Sequence, residues 1–510
     1  MKTYRLDEVT RRALEGPFMD EKDFDMKLMK RTRELVKEYD IRYDPKQPVC
    51  TDDSVADDVY EAAMRLLLEM GFYCQTTKRC ITFEEGEVKR VLKSLPESLL
   101  LGSGKDAVRM DMRRVEDPRP PVIHAGPTGT LCTEGEVYVK TLRSFAQEGV
   151  IDSVGAGTLA TIDGFKIRKG TPQEFRAARL LARWAREAIS QAGRPGMHIN
   201  DVAVVSPEAK LCALDPAYGL RPSDGIIVSQ MIELKTSLQH LSLVEHLQSY
   251  GIHIGNLMTP ILGGYSGGPE GTAIVNVAEH IAGVLCYSAS YHYCSLTNVK
   301  NLNGTDRPGL WAISMVGQAL SRNSEIMSVY DCYCASGPGE EMLLLEAAAG
   351  GIAASVAGMN VMGCGSCGGK LVDHSTGLEA RMLKEAAAAA AGMSRKDAND
   401  ILNKILPMYE DRLDISKAPK GKTFQELYDL ASAKPKAEWQ GLYDKVAREL
   451  SNEPGARNRL VFHYFLFFQI TKKRWARAQG DHRSLPILFP RLAGPLTPLP
   501  PTTSATSATR

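Results

Sequence analysis

The amino-acid sequence predicts an α/β protein built on a (β/α)8 TIM barrel, with a mostly helical N-terminal extension and further helices after the barrel. Three observations carry this. From Pro120 onward, short apolar runs alternate with loops and longer helical patterns, the rhythm of βα units around a parallel sheet. Eight such runs can be counted in the chain, the number that closes a barrel. Glycines also gather past some of the runs, in His124-Ala125-Gly126-Pro127-Thr128-Gly129 and Gly263-Gly264-Tyr265-Ser266-Gly267-Gly268, where tight βα turns or close approach to a ligand need residues without a side chain.

In chain order, residues 1–118 read as a helical region with a small hairpin, 119–452 as the barrel with C-terminal helices, and 453–510 as a tail. Within the first, residues 20–39 and 54–70 space their apolar side chains by three and four (Phe24, Leu28, Leu35; Val59, Ala62, Ala63, Leu66), and Gly71 stops the second helix. Leu99-Leu100-Leu101, then Gly102-Ser103-Gly104-Lys105-Asp106, then alternating Val108, Met110 and Met112 predict a hairpin. Barrel strands are expected near residues 121–125, 151–155, 194–199, 211–214, 252–258, 284–290, 325–331 and 359–363. Helices are expected over 172–190, 229–250, 270–282, 308–321 and 340–357, with two more over 377–391 and 395–411. In the tail, Leu460 to Phe468 is apolar but too short to span a bilayer. The Pro/Thr/Ser-rich residues 480–510 predict disorder.

Composition narrows the function. Lys+Arg number 62 against 61 Asp+Glu, a balance that argues for neither nucleic acid nor a membrane surface as partner. Met1-Lys2-Thr3-Tyr4-Arg5 leads into charged residues rather than an apolar signal core. The 11 cysteines are odd in number and scattered, which suits reduced thiols and a cytoplasmic setting.

Active sites of this fold are assembled from the C-terminal ends of several strands. The segment Gly193-Arg194-Pro195-Gly196-Met197-His198-Ile199-Asn200 follows a long helix and reads as a turn and a strand ending at Asn200, which makes Asn200 a candidate site residue. His292, in Ser290-Tyr291-His292-Tyr293, fits either a general acid or ligand, or a hydrogen-bonded structural histidine. Asp331 ends the seventh expected strand and could bind a cation or act as a base; a helix cap or salt bridge is the plainer reading, and its place at the barrel rim favours function. Cys332, Cys334, Cys364 and Cys367 fall at neighbouring strand ends. Four thiols there could hold zinc, but inert buried cysteines are the commoner outcome, so no metal is expected. Neither glycine cluster matches a phosphate loop or a dinucleotide fingerprint.

Ordered blocks across roughly residues 20–450 resemble the monomethylamine:corrinoid methyltransferase family. They include Leu101-Gly102-Ser103-Gly104-Lys105-Asp106, Gly126-Pro127-Thr128-Gly129, Gly193-Arg194-Pro195-Gly196-Met197, Pro260 to Gly268, Ser288-Ala289-Ser290-Tyr291-His292, Gly337-Pro338, Thr376-Gly377-Leu378-Glu379-Ala380-Arg381-Met382 and Gly421-Lys422-Thr423-Phe424-Gln425-Glu426. The resemblance implies a homo-oligomeric TIM barrel that moves a methyl group from a methylamine to the cobalt of a corrinoid (cobalamin) held by a separate, cognate protein. It implies a pyrrolysine whose imine captures the amine, and here the sequence departs. Set in the family's register, the pyrrolysine position falls on Asn200, its neighbouring glutamate on Leu257 and its glutamine on Asp331. No pyrrolysine is therefore expected. Catalysis is expected to rest on Asn200, Asp331 and His292, with Leu257, Tyr291 and Tyr330 at the substrate and Gly126, Gly129, Gly263, Gly264, Gly267 and Gly268 facing the corrinoid. A small methylated amine is the expected substrate. A quaternary amine or another methyl donor, or a scaffold that only binds a corrinoid protein, stands as the alternative.

Overall fold

The barrel sheet in the computed structural model, which describes residues 6–451, has eight strands. These are β1 (Ile123–Ala125), β2 (Ser153–Ala156), β3 (His198–Val202), β4 (Gly225–Ser229), β5 (His253–Met258), β6 (Tyr291–Cys294), β7 (Ser328–Tyr333) and β8 (Asn360–Gly365). Neighbours run in the order β3-β2-β1-β8-β7-β6-β5-β4, all parallel. The seam between β3 and β4 is closed by carboxylates instead of a ladder. Asp224 Oδ1 accepts from the Ile199 amide at 3.0 Å and Asp201 Oδ1 from the Ile227 amide at 3.0 Å, so backbone donors at the seam stay paired.

Each strand is followed by a helix: α1 (Glu136–Ala146), α2 (Pro172–Gln191), α3 (Pro207–Leu211), α4 (Leu238–Tyr250), α5 (Pro269–Tyr287), α6 (Arg307–Asn323), α7 (Glu341–Val356) and α8 (Gly377–Ala389). Proline at the first turn of α2, α3, α5 and α6 starts each where the missing N–H costs nothing. Helices α5 and α7 are buried almost all round because a second helical layer covers them. The helix Asp53–Met70 lies on α5 and α6, while α8, Arg395–Ile405 and Ala437–Ser451 lie on α7. A helix enclosed on all sides must be apolar on all sides, as Leu343-Leu344-Leu345 and the alanines of α7 are.

The hairpin forms from Ser98–Leu101 and Val108–Asp111 and plugs the N-terminal end of the barrel. Gly102 N–H donates to Ser223 O at 2.9 Å and Ser103 N–H to Gly196 O at 2.8 Å. Leu101, Met110 and Met112 join the barrel's inner cluster with Tyr291, Val329 and Met362. Several elements were not anticipated from sequence, among them α1, α3 and a three-stranded sheet in which Phe72–Cys74 pairs with Arg79–Ile81 on one side and with Lys235–Thr236 on the other, so the helix expected over 229–250 begins only at Leu238.

Two expected strands are misplaced. Residues 211–214 end α3 and enter a turn, and the fourth strand is Gly225–Ser229. Residues 284–287 continue α5, which stops at Ser288 in a left-handed conformation (φ 49°), and the sixth strand begins at Tyr291. The physical cause is shared: a short apolar run has the same pattern in a buried strand and in a buried helix turn. Residues 453–510 lie outside the described residues. Among the described residues no helix is long and apolar enough to cross a membrane.

Candidate active site

At the C-terminal ends of the strands lies a cavity of about 440 Å³. Its wall takes Gly129 from the loop after β1, Gly155 and Ala156 from β2, Asn200 and Asp201 from β3, Ile227 to Ser229 from β4, Leu257 from β5, Asp331 and Tyr333 from β7, and Met362 from β8. Larger hollows beside the helix Leu6–Glu15 and between Tyr60 and Glu325 are lined by helix surfaces rather than strand ends. The strand-end cavity is the one placed where barrel chemistry occurs.

Asn200, Leu257 and Asp331 therefore meet in one cavity. Strand β3 runs past Asn200 to Val202, and its register slips between Ile199 and Val202. Asn200 and Asp201 both line the cavity, as the consecutive residues Ile227 to Ser229 do at the end of β4. Asn200 is wholly buried. Its Nδ2 donates to Tyr293 Oη at 3.0 Å, and its Oδ1 has no partner. A Cβ on Gly155 would stand 2.5 Å from that oxygen, so glycine at 155 is what gives the amide its room.

Asp331 is 4% exposed, and its Oδ1 likewise lacks a partner. Burial, with a smaller contribution from Cys332, pushes its carboxyl up to about 8 against the pull of the Ser295 hydroxyl. Asp331 is therefore held largely protonated at pH 7, where the sequence suggested a carboxylate that binds a cation or acts as a base. Beside it, Asp201 receives both the Lys210 ammonium (2.8 and 2.9 Å) and the Ile227 amide. Burial raises the Asp201 pKa while Lys210 opposes the rise.

Alternation along the strands takes other candidates elsewhere. On β6, Tyr291 and Tyr293 point inward, so His292 points outward. There His292 stacks on His280 of α5 (centroids 5.4 Å apart), its Nδ1 is 3.2 Å from Asn256 Nδ2, and burial holds it neutral. On β7, Asp331 and Tyr333 face in and Tyr330 faces α7, against Gly350. Tyr291 is inside the barrel but below the cavity, among His124, His198 and His253, with its hydroxyl 3.3 Å from His198 Nε2. His292, Tyr330 and Tyr291 thus do not line the cavity. Of the six glycines, Gly129 lines it, packed under the Tyr333 ring, whereas Gly126 lies against the Gly155 backbone. Gly263, Gly264, Gly267 and Gly268 form the rim loop after β5. There Ile261–Leu262 pairs with Thr297–Asn298, and a Cβ at Gly263 would meet Val299.

Tyr293, Tyr333, Gly155 and the Asp201–Lys210 pair were not singled out from sequence. Period-two spacing from Asp331 does point to Tyr333. Nothing in the spacing ties Asp201 to Lys210. Cys332, Cys334 and Cys364 come together outside the barrel wall, their sulfurs all within 4.8 Å of one another, whereas Cys367 Sγ turns to Lys420 O at 3.3 Å.

Eight parallel strands with a largely apolar cavity at their C-terminal ends, into which Asn200, Asp201 and Asp331 bring a few polar groups, make the architecture of a TIM-barrel enzyme. The family described as monomethylamine methyltransferase MtmB matches residues 5–454. Relatives include monomethylamine methyltransferase MtmB of Methanosarcina mazei, 34% identical over 86% of this chain and 96% of its own length. Monomethylamine methyltransferase MtmB2 of Methanosarcina acetivorans is 33% identical over 86% of this chain and 95% of its own. The crystal structure of the Methanosarcina barkeri monomethylamine methyltransferase superposes with a TM-score of 0.84 at 32% identity, covering 88% of this chain and 98% of that one. The hydroxylamine MtmB complex superposes equally well, at 0.84. The chain belongs to the monomethylamine methyltransferase MtmB family, and it is a methyltransferase.

Proposed function

We propose that the protein moves a methyl group from a small methylated amine, held as its ammonium cation, to the cobalt of a corrinoid carried by a separate protein. One observation carries the reading of the donor. Asn200 Oδ1 and Asp331 Oδ1 are buried acceptors without partners in the same small cavity. An unpaired buried polar oxygen is costly, and an ammonium ion with two N–H groups can donate one to Asn200 Oδ1 and the other to Asp331 once that acid has given up its proton. A quaternary amine has no N–H and would leave both unpaired, so donors with at least one N–H fit better. The names of the relatives, monomethylamine methyltransferases, agree.

Asn200 would hold the amine by a hydrogen bond, not by a covalent adduct, since an amide is not an electrophile. Asp331 would ionise as the cation enters, because a fixed positive charge favours the charged form of the acid. Leu257 and Met362 supply apolar wall that excludes water. A cavity of about 440 Å³ suits a small molecule and not a corrin ring. A corrinoid would thus be presented across the mouth, over Gly129 and the rim loop containing Gly263, Gly264, Gly267 and Gly268. The corrinoid, when presented, supplies a reduced, nucleophilic cobalt. The transferred methyl leaves nitrogen, the N–C bond pair stays with the departing amine, and that amine leaves neutral.

The test supplies purified protein with a reduced corrinoid and a panel of methylated amines, betaines and thiols, and follows methyl-cobalt formation. Transfer from amines bearing N–H, outpacing quaternary donors, is expected. Transfer from thiols alone, or from no donor, would sink the proposal, and the latter would leave a scaffold that only binds a corrinoid protein.

A further inference from the structure

We propose that Cys332, Cys334 and Cys364 bind one zinc ion in the layer between the barrel and its helices. The three sulfurs come from the adjacent ends of β7 and β8, all are fully buried, and each pair lies within 4.8 Å. Cys332 and Cys334 Sγ are 3.8 Å apart, and a tetrahedral site with Zn–S of about 2.3 Å has S–S edges of about 3.8 Å. The buried Tyr330 hydroxyl, which neighbours the Cys332 thiol, offers the fourth position. It and Cys332 Sγ both stand within 3.2 Å of the point that a Cβ on Gly350 would occupy. Glycine on α7 thus leaves room where alanine would fill the space between phenol and thiol.

The ion follows from the donors. Thiolates select soft or borderline metals. A monovalent ion among three thiolates leaves two net negative charges in a dry layer, and a divalent one leaves a single charge, which is the cheaper burial. The side chains of Asp331 and Tyr333 point into the cavity, whereas Cys332 between them points away. The ion therefore sits behind the catalytic wall, with no open path to substrate. Its role is structural: it clamps the strand ends that carry Asp331, Tyr333 and Met362.

The test uses the full-length protein expressed without a metal-binding tag in zinc-supplemented medium and purified anaerobically, with metals counted per chain by mass spectrometry. One zinc per chain is expected, released as a mercurial titrates the thiols. Cys364→Ser should lose the ion, and Cys367→Ser, whose sulfur bonds a backbone carbonyl instead, should keep it. Growth with cobalt in place of zinc should give the intense thiolate-to-cobalt charge-transfer band of a tetrahedral thiolate site. Folded wild-type protein without metal, copper in place of zinc, or loss of the ion in Cys367→Ser would each overturn the assignment. Because wild-type metal content is read directly, a Cys364 variant that fails to fold does not shelter the proposal.

Discussion

Replacing Asp331 by Asn tests the site most directly, because it keeps the shape of the side chain and removes its proton equilibrium. The native carboxyl titrates at about 8, and an unfolded aspartate at about 3.9. Between those values the native state binds more protons than the unfolded one, so the wild type loses stability as pH rises from about 4 to about 8 and is flat above that. At pH 7 the gap is about three pH units at about 1.4 kcal/mol each, or on the order of 4 kcal/mol. Asp331→Asn abolishes this loss. Its stability relative to wild type should rise from pH 4 to pH 8, seen as a melting-temperature difference that grows with pH. Donor binding should move the other way. In the wild type, ammonium affinity should weaken about tenfold for each pH unit below 8, because the acid must first give up its proton. The variant should bind the donor about 1–3 kcal/mol more weakly at pH 9, as for a lost charge-assisted contact, and should show no such pH dependence. Calorimetric titration of methylammonium at pH 6, 7, 8 and 9, with melts at the same values, reads both. An Asn variant that melts lower at every pH and binds the donor as wild type does would make Asp331 a structural residue and remove it from the site.

Two further outcomes follow from the cavity wall. Gly155→Ala places a Cβ 2.5 Å from Asn200 Oδ1; since that oxygen ends a short side chain that can turn, the stability cost should stay near 1 kcal/mol, while methyl-transfer rate falls by well over tenfold as the amide leaves Tyr293, and a rate within twofold of wild type would refute the role given to Asn200. Lys210→Met leaves the buried Asp201 without its ammonium and should cost about 3–5 kcal/mol in denaturant unfolding at pH 8, with much of the loss recovered at pH 5, where protonation neutralises the stranded acid; equal loss at both values would show that packing, not charge, is what Lys210 supplies.

Sequence by itself determined the class of this protein. The alternation of apolar runs and helical patterns, the hairpin from Ser98 to Asp111 and the ordered blocks from residue 20 to 450 need only local periodicity and residue identity, both of which are written along the chain. It also placed Asn200, Leu257 and Asp331 at strand ends, and the fold carried all three into one cavity. What only the tertiary structure decided depends on which neighbour each side chain meets. The direction of His292, Tyr330 and Tyr291 turned on strand phase, and a sixth strand read a few residues early erases that phase. That Asp201 joins Asn200 at the cavity, paired to Lys210 and to the Ile227 amide across the seam, depends on where β3 ends and which strand it meets. The neutral state of Asp331 comes from burial, which no single residue encodes. The three thiols, one pair two residues apart and the third 30 positions on, become one cluster only because β7 and β8 are neighbours in the closed sheet.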